Sequence, residues 1–253
     1  MSKRSTARHS AAAGHVAEWP PGPQAPRLAP GAVHIWRADL DAVADSVLDG
    51  LSGDERERAA GIAGDRESAL WSRSRGVLRE LLARYLTTDA DAVELSIGTH
   101  GKPELSRPGG PELFFNLSHS RNLALYAFCS DGRVGVDVQA LRDERPPTGV
   151  DHVALARRAF GEHEAQRLTL VAPERREREF LRAWTRHEAE LKRLGTGLGV
   201  GRREDERLGG GAAKQTAHQH AARSIVELDV GPRAAAALAL ERSPNELQLW
   251  GWT

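Results

Sequence analysis

Three short stretches of this 253-residue chain carry side chains that can bind phosphates and metal ions: residues 115–120 (FNLSHS), 135–139 (GVDVQ) and 184–195 (WTRHEAELKRLG). Each stretch alone is a weak signal. Together they supply a serine–histidine turn, a carboxylate on a strand, and a helix with Glu188 and Lys192 one turn apart. Carboxylates beside basic groups are the components of a site for Mg²⁺ and a diphosphate.

The second stretch predicts two polar side chains on one face of a strand. Because side chains at i and i+2 point the same way, Asp137 and Gln139 can face one cavity while Val136 and Val138 pack behind them. Oxygen ligands are the ones that Mg²⁺ prefers, with phosphate and water completing an octahedron. The alternative is a polar edge strand that binds nothing.

The other two stretches add a helical stripe and a turn. Trp184, Glu188 and Lys192 follow one another at intervals of four residues, so that Glu188 and Lys192 can face a cleft while Trp184 packs at its base. The alternative is an ordinary surface Glu–Lys pair. Ser118 and His119 end a predicted strand, where backbone N–H groups, a hydroxyl and an imidazole can converge on a phosphate.

In this order, and with Gly101-Lys102-Pro103 as a fourth matching element, the stretches resemble the surfactin-type 4'-phosphopantetheinyl transferases. That family moves phosphopantetheine from coenzyme A to a serine of an acyl or peptidyl carrier protein. The resemblance extends from about residue 33 to the C-terminus. It implies an α+β fold of two similar α/β halves related by a pseudo-twofold axis, with the active site in the cleft between them. It also makes a monomer plausible.

The resemblance implies a role for each matching residue. Asp137, Gln139 and Glu188 would be the ligands of Mg²⁺, Glu188 would also be the base that deprotonates the carrier serine, and Lys192 would meet the pyrophosphate. The family commonly has an acidic residue at the position of Gln139, so we expect weakened metal binding here. The implied coenzyme A-binding residues are Arg58, Arg75, Lys102, Ser118, His119, His187 and Lys192.

A second departure from the family pattern is His187, which stands where a lysine is usual. An imidazole with a pKa of about 6.5 is only partly charged at neutral pH, whereas a lysine is fully charged. If His187 touches the phosphates, we expect activity to rise less steeply with pH, or to peak differently.

The overall composition limits the partners and the compartment. Thirty-five basic residues balance 35 acidic ones, so no net field draws the chain to nucleic acid or to an anionic membrane. A single cysteine, Cys129, lies in an apolar run and is expected to be a buried, inert thiol in a reducing compartment. Without a secretory signal or a membrane-spanning stretch, the sequence predicts a cytoplasmic protein.

Composition and periodicity also predict the organisation of the chain. Residues 1–30, rich in Ala, Pro and Gly, are expected to form a disordered arm. A coenzyme A-binding half follows over 31–131, and a half with the metal site and the catalytic helix over 132–253, with a mobile insertion at about 199–223. Helices are predicted over 67–86 and 174–194, with a capping box at Ser52 and Glu55. The predicted strands cover 33–36, 93–97, 113–117, 123–128, 133–138, 225–230, 234–240 and 247–250.

Two other functions stay open at this point. The protein could be a degenerate relative that holds coenzyme A or a carrier domain without transferring anything, which Gln139 and His187 motivate. It could also be a Mg²⁺-dependent phosphoesterase that uses water as the nucleophile.

Overall fold

A computed structural model describes residues 19–98, 101–106, 113–142, 150–196 and 224–253. The first half contains β1 (Ala32–Asp39), a 3₁₀ turn (Asp45–Gly50), α1 (Gly53–Ala60), α2 (Asp65–Leu86), β2 (Leu95–Ile97), β3 (Pro103–Leu105), β4 (Phe114–Ser120) and β5 (Leu123–Cys129). The second half contains β6 (Val134–Ala140), α3 (His152–Phe160), α4 (Glu162–Thr169), α5 (Pro173–Leu194), β7 (Ser224–Glu227), β8 (Ala234–Leu240) and β9 (Glu246–Gly251). The fold is therefore mixed α+β, as predicted.

The elements stack in four layers. A four-stranded sheet has the order β4-β5-β1-β9, and a three-stranded sheet has the order β6-β8-β7, while β2 and β3 form a separate hairpin. Because side chains alternate along a strand, Trp36 of β1 packs against α2 on one face, and Ile35 packs against the three-stranded sheet on the other. Ala237 and Ala239 of β8 pack on Ala189 of α5. The order of layers is α2, four strands, three strands, α5.

The start of α1 and both ends of α5 agree with the sequence prediction. Ser52 accepts a hydrogen bond from the backbone N–H of Glu55, and the Glu55 side chain accepts one from the N–H of Ser52, so the capping box before α1 is present. Helix α5 begins at Pro173 and ends before Gly195, whose φ of 74° lies in the left-handed region that glycine tolerates.

Two boundaries differ from the prediction. Residues 19–30 were expected to be part of a disordered arm, but Trp19 is buried and donates a hydrogen bond to the carbonyl of Asp229 (3.1 Å). The N–H of Gly22 also donates to the carbonyl of Gly251 (3.0 Å). The buried side chain of Trp19 thus holds this stretch against the fold, although its composition is typical of disordered segments. Residues 1–18 of the arm, and the insertion predicted at 199–223, lie outside the described residues.

The second difference concerns β9, which belongs by sequence to the second half. It pairs in parallel with β1, so it completes the sheet of the first half. The C-terminal strand therefore lies in the same sheet as the first strand. The boundary predicted after residue 131 does not assign each sheet to one half of the sequence. Among the described helices, none is long and apolar enough to cross a membrane.

Candidate active site

Strands β4 and β6 are joined by side chains instead of a regular backbone ladder. Asn116, Ser118 and Ser120 alternate along β4 and therefore share one face, which lies beside β6. The bonds are Val136 N to Asn116 Oδ1 (2.8 Å), Val138 N to Ser118 Oγ (3.3 Å) and Ala140 N to Ser120 Oγ (3.0 Å). We call these three bonds the β4–β6 seam. The seam gives the FNLSHS stretch a structural role that the sequence did not reveal.

The seam places Asp137 within reach of Ser118 and Lys192. The Asp137 side chain is only 2% exposed, and its Oδ1 accepts hydrogen bonds from Ser118 Oγ (2.9 Å) and Lys192 Nζ (2.7 Å). Lys192 Nζ also donates to Ser118 Oγ (2.8 Å). The amide of Gln139 donates to Oδ2 of Asp137 (3.2 Å), so these two residues do share one face, as predicted.

Glu188 lies beside this cluster with an unused oxygen. The residue is 8% exposed, and its Oε1 is buried without a hydrogen-bond partner in the described part of the chain. Burial raises the pKa of Glu188, and the charge of Asp137 raises it further, while Lys192 acts in the opposite direction. Two neighbouring buried carboxylates, one with a free oxygen, fit a divalent cation, because a cation would satisfy that oxygen and screen the repulsion.

The donor set for such a cation is small. Among the described residues, no group of three or more His, Cys, Asp or Glu side chains is placed to hold a metal. This agrees with the presence of an amide at Gln139 instead of a third carboxylate. The amide of Gln139 faces Asp137 as a donor, so it would have to turn its oxygen inward to become a ligand.

A cavity of about 370 Å³ opens next to Lys192, between α2, β4 and α5. None of the described residues that line it is acidic. Burial lowers the pKa of His119, as does the nearby charge of Lys192. A second space, of about 550 Å³, shares His119 with the first. The cavity wall contains five of the predicted cofactor-binding residues: Arg75, Lys102, Ser118, His119 and Lys192.

Comparison with known proteins identifies the family. The family model described as the 4'-phosphopantetheinyl transferase superfamily matches residues 133–238, which include Asp137, Glu188 and Lys192. The chain is 36% identical over 184 residues to 4'-phosphopantetheinyl transferase HetI of Nostoc sp., and the match covers 71% of this chain and 76% of HetI. The chain belongs to the 4'-phosphopantetheinyl transferase superfamily.

Two further relatives are also named phosphopantetheinyl transferases. A phosphopantetheinyl transferase of Thraustochytrium sp. is 30% identical over 186 residues, which cover 68% of this chain and 64% of the relative. The 4'-phosphopantetheinyl transferase AcpT of Salmonella typhi is 38% identical over 120 residues, which cover 46% of this chain and 56% of AcpT. The prediction of an enzyme that transfers phosphopantetheine from coenzyme A to a carrier protein is therefore confirmed.

Lys102 of this 4'-phosphopantetheinyl transferase, next to β3, bonds to the end of α5 and to the start of β6. Its Nζ donates to the carbonyl of Lys192 at the end of α5 (2.9 Å) and to the carbonyl of Val134 at the start of β6 (3.3 Å). Burial lowers the pKa of Lys102 to about 8. A cation at the C-terminus of a helix also interacts favourably with the helix dipole. Lys102 thus fastens the helix that carries Lys192, in addition to facing the cavity.

Two predicted residues of the transferase are not on the cavity wall. His187 is exposed, and its ring lies against Phe160 of α3, with 5.6 Å between the ring centroids. Arg58 is not on the wall, but its guanidinium lies 5.9 Å from the ring of Trp71, which does line the cavity, and it is close enough to Arg75 for the two charges to interact. The structure therefore places Arg58 near Arg75, and His187 away from the cavity wall.

Gly135 is a residue of the transferase whose role the motif alone did not indicate. A Cβ atom at this position would overlap the carbonyl oxygen of Ala189 and the backbone nitrogen of Arg193, both in α5. Glycine therefore allows α5 to lie directly on β6, which brings Glu188 and Lys192 close to Asp137. A glycine inside a strand pattern is the signal that could have revealed this close approach.

Proposed function

We propose that this transferase is of the surfactin type and depends on Mg²⁺, with the site around Asp137, Glu188 and Lys192 as its active site. The observation that carries the proposal is a pair of buried carboxylates next to Lys192 at the edge of a basic cavity. The carboxylates suit a cation, and the cavity suits the phosphates of coenzyme A. Asp137 and Glu188 would hold the Mg²⁺, with the oxygen of Gln139 as a weaker ligand. When bound there, Mg²⁺ supplies charge neutralisation and a template for the diphosphate.

The residues of the chain would divide the reaction between them. Lys102, His119 and Arg75 bind the negatively charged groups of coenzyme A. Glu188 accepts the proton of the carrier serine as the serine oxygen forms a bond to the β-phosphorus. The bond from that phosphorus to the bridging oxygen breaks, adenosine 3',5'-bisphosphate leaves, and Lys192 offsets the charge on the departing oxygen.

The arrangement of the helices supports two related halves around this site. Each 22-residue helix, α2 and α5, packs on the outer face of a sheet, and the two sheets pack face to face. We propose that the halves are related by a pseudo-twofold axis, with the cleft between them as the site. A monomeric state stays a prediction.

The test is to incubate the protein with coenzyme A, Mg²⁺ and an apo carrier protein, and to measure the mass of the carrier by mass spectrometry. We expect a gain of one phosphopantetheine group, which Asp137→Ala and Glu188→Ala abolish. Glu174→Ala, in the exposed first turn of the same helix, is the matched control and should transfer normally.

The two rival functions give different results in this experiment. Binding of coenzyme A without any mass gain on several carriers would favour a binding protein. Release of adenosine bisphosphate in the absence of a carrier would favour a phosphoesterase.

A further inference from the structure

Glu55 connects the start of α1 to two arginines of α2. Its Oε1 accepts hydrogen bonds from Arg75, with distances of 2.9 Å from Nε and 2.8 Å from Nη2. Its Oε2 accepts from Nε of Arg79 and from the backbone N–H of Ser52 (3.1 Å). Glu55, Arg75 and Arg79 are all buried. One carboxylate therefore satisfies a helix cap and two buried cations.

The two arginines use their remaining donors differently. Arg79 Nη1 donates to the carbonyls of Ala90 (3.0 Å) and Val93 (2.9 Å), so this nitrogen is bonded to the backbone. Arg75 lines the cavity, and two of its three nitrogen atoms are bonded to Glu55. Among the described residues, Glu55 is the only carboxylate that pairs with Arg75. The third nitrogen, Nη1, is thus left for an anion in the cavity.

The pairing also fixes the direction of the Arg75 guanidinium. This group is planar, and the bonds from two of its nitrogens to the same oxygen, Oε1 of Glu55, limit its rotation. Its carbon lies 5.8 Å from the centre of the Trp71 ring, which limits movement on that side. Without Glu55, a flexible arginine could point elsewhere along the cavity.

We propose that Glu55 is a positioning residue that aims Arg75 at the 3'-phosphate of coenzyme A and so sets the preference for coenzyme A over 3'-dephospho-coenzyme A. The inference rests on the proposed function, in which the diphosphate lies by Asp137, Glu188 and Lys192. Arg75 comes from α2, whereas Lys192, on the same cavity wall, comes from the catalytic helix α5. Coenzyme A carries a diphosphate and a 3'-phosphate on the ribose. Because the diphosphate is assigned to the site around Lys192, we assign the 3'-phosphate to Arg75.

The test is to measure the affinity of the full-length protein for coenzyme A and for 3'-dephospho-coenzyme A by calorimetry, together with KM and kcat. In Glu55→Gln we expect the preference for coenzyme A to fall about tenfold, through KM more than kcat. Arg75→Ala should reduce the preference at least as much, and the double variant should be no worse than Arg75→Ala alone. Additive losses in the double variant would contradict the proposal.

A second variant keeps the test decisive if Glu55→Gln does not fold. Arg75→Lys keeps the charge but cannot form the two-pronged pair, so the preference should still fall. Ser52→Ala is the structural control, because it weakens the same helix cap and should lower the melting temperature without changing the preference.

These measurements distinguish a failure of the positioning role from a failure of the proposed function. If the unmodified protein binds coenzyme A and prefers it, but Glu55→Gln and Arg75→Lys keep the full preference, the positioning role is wrong and the proposed function stands. If the unmodified protein does not bind coenzyme A at all, the proposed function fails.

Discussion

The ammonium group of Lys192 lies 2.7 Å from Oδ1 of Asp137. The two residues are 55 positions apart in the chain, and the hydroxyl of Ser118 bonds to both. Lys192 therefore offsets the buried charge of Asp137. A cation that binds to Oδ1 of Asp137 must share this oxygen with Lys192 or displace it.

This relationship predicts opposite effects of Lys192→Met on metal binding and on transfer. Binding of Mg²⁺, measured by calorimetry without coenzyme A, should become tighter because a positive competitor is gone. Transfer should fall by about 10²-fold or more, as when one group that stabilises a transition state is removed. Lys102→Met removes a nearby positive charge that does not touch Asp137. An equal gain in Mg²⁺ affinity in that variant would mean that contact with Asp137 is not the cause.

Glu188→Gln is expected to stabilise the metal-free protein while it prevents transfer. The wild-type side chain has a buried oxygen without a partner and a carboxylate neighbour, and the substitution removes the negative charge from that place. The gain in unfolding free energy should be about 1 to 3 kcal/mol, and the loss of transfer about 10²- to 10⁴-fold. Urea denaturation and the carrier mass assay measure the two effects. Glu174→Gln, exposed on the same helix, should change neither.

Asn116→Ala should break the β4–β6 seam at its first bond. The substitution leaves the buried N–H of Val136 without its acceptor, which costs about 1 to 3 kcal/mol of unfolding free energy. Asn122→Ala is the comparison, since the Asn122 amide bonds to Asp39 at the exposed surface. Denaturation curves with equal midpoints for the two variants would show that the seam contributes no more than a surface contact.

His34 should make the fold sensitive to acid. It is 1% exposed, its Nδ1 lies 2.8 Å from the hydroxyl of Tyr85, and burial lowers its pKa to about 4. Between pH 6.5 and about 4 the unfolded chain therefore binds a proton that the folded chain does not, so stability falls as the pH falls. The slope from His34 approaches about 1.4 kcal/mol per pH unit. In His34→Gln, stability measured over this range should depend less steeply on pH, and an unchanged slope would contradict the assignment.

His187→Ala should leave the pH profile of transfer unchanged. The sequence predicted an effect on this profile only if His187 touches the phosphates, and its ring lies against Phe160 outside the cavity wall. His119→Ala is the contrasting variant, because His119 lines the cavity and should alter the apparent KM for coenzyme A. A shift of the profile in His187→Ala would place this side chain at the phosphates after all.

Local patterns were enough to predict the main helices and the face that Asp137 and Gln139 share. Periodicity and caps act within about one turn of helix or two residues of strand, so they can be read directly from neighbours in the chain. The same reasoning failed for residues 19–30. The burial of Trp19 and its hydrogen bond hold this stretch in place despite a composition typical of disorder. The reasoning also grouped β9 with the second half, whereas β9 pairs with β1, since strand pairing depends on partners distant in sequence.

The sequence by itself determined which side chains are available for the chemistry and, through its motifs, the family. Only the tertiary structure decided that Lys192 reaches Ser118 across 74 positions, that Glu55 holds Arg75, and that His187 points elsewhere. Such contacts depend on how α5 lies on β6 and how α1 lies on α2. Those packings are set by the fit of whole surfaces, as at Gly135, and no local spacing encodes them.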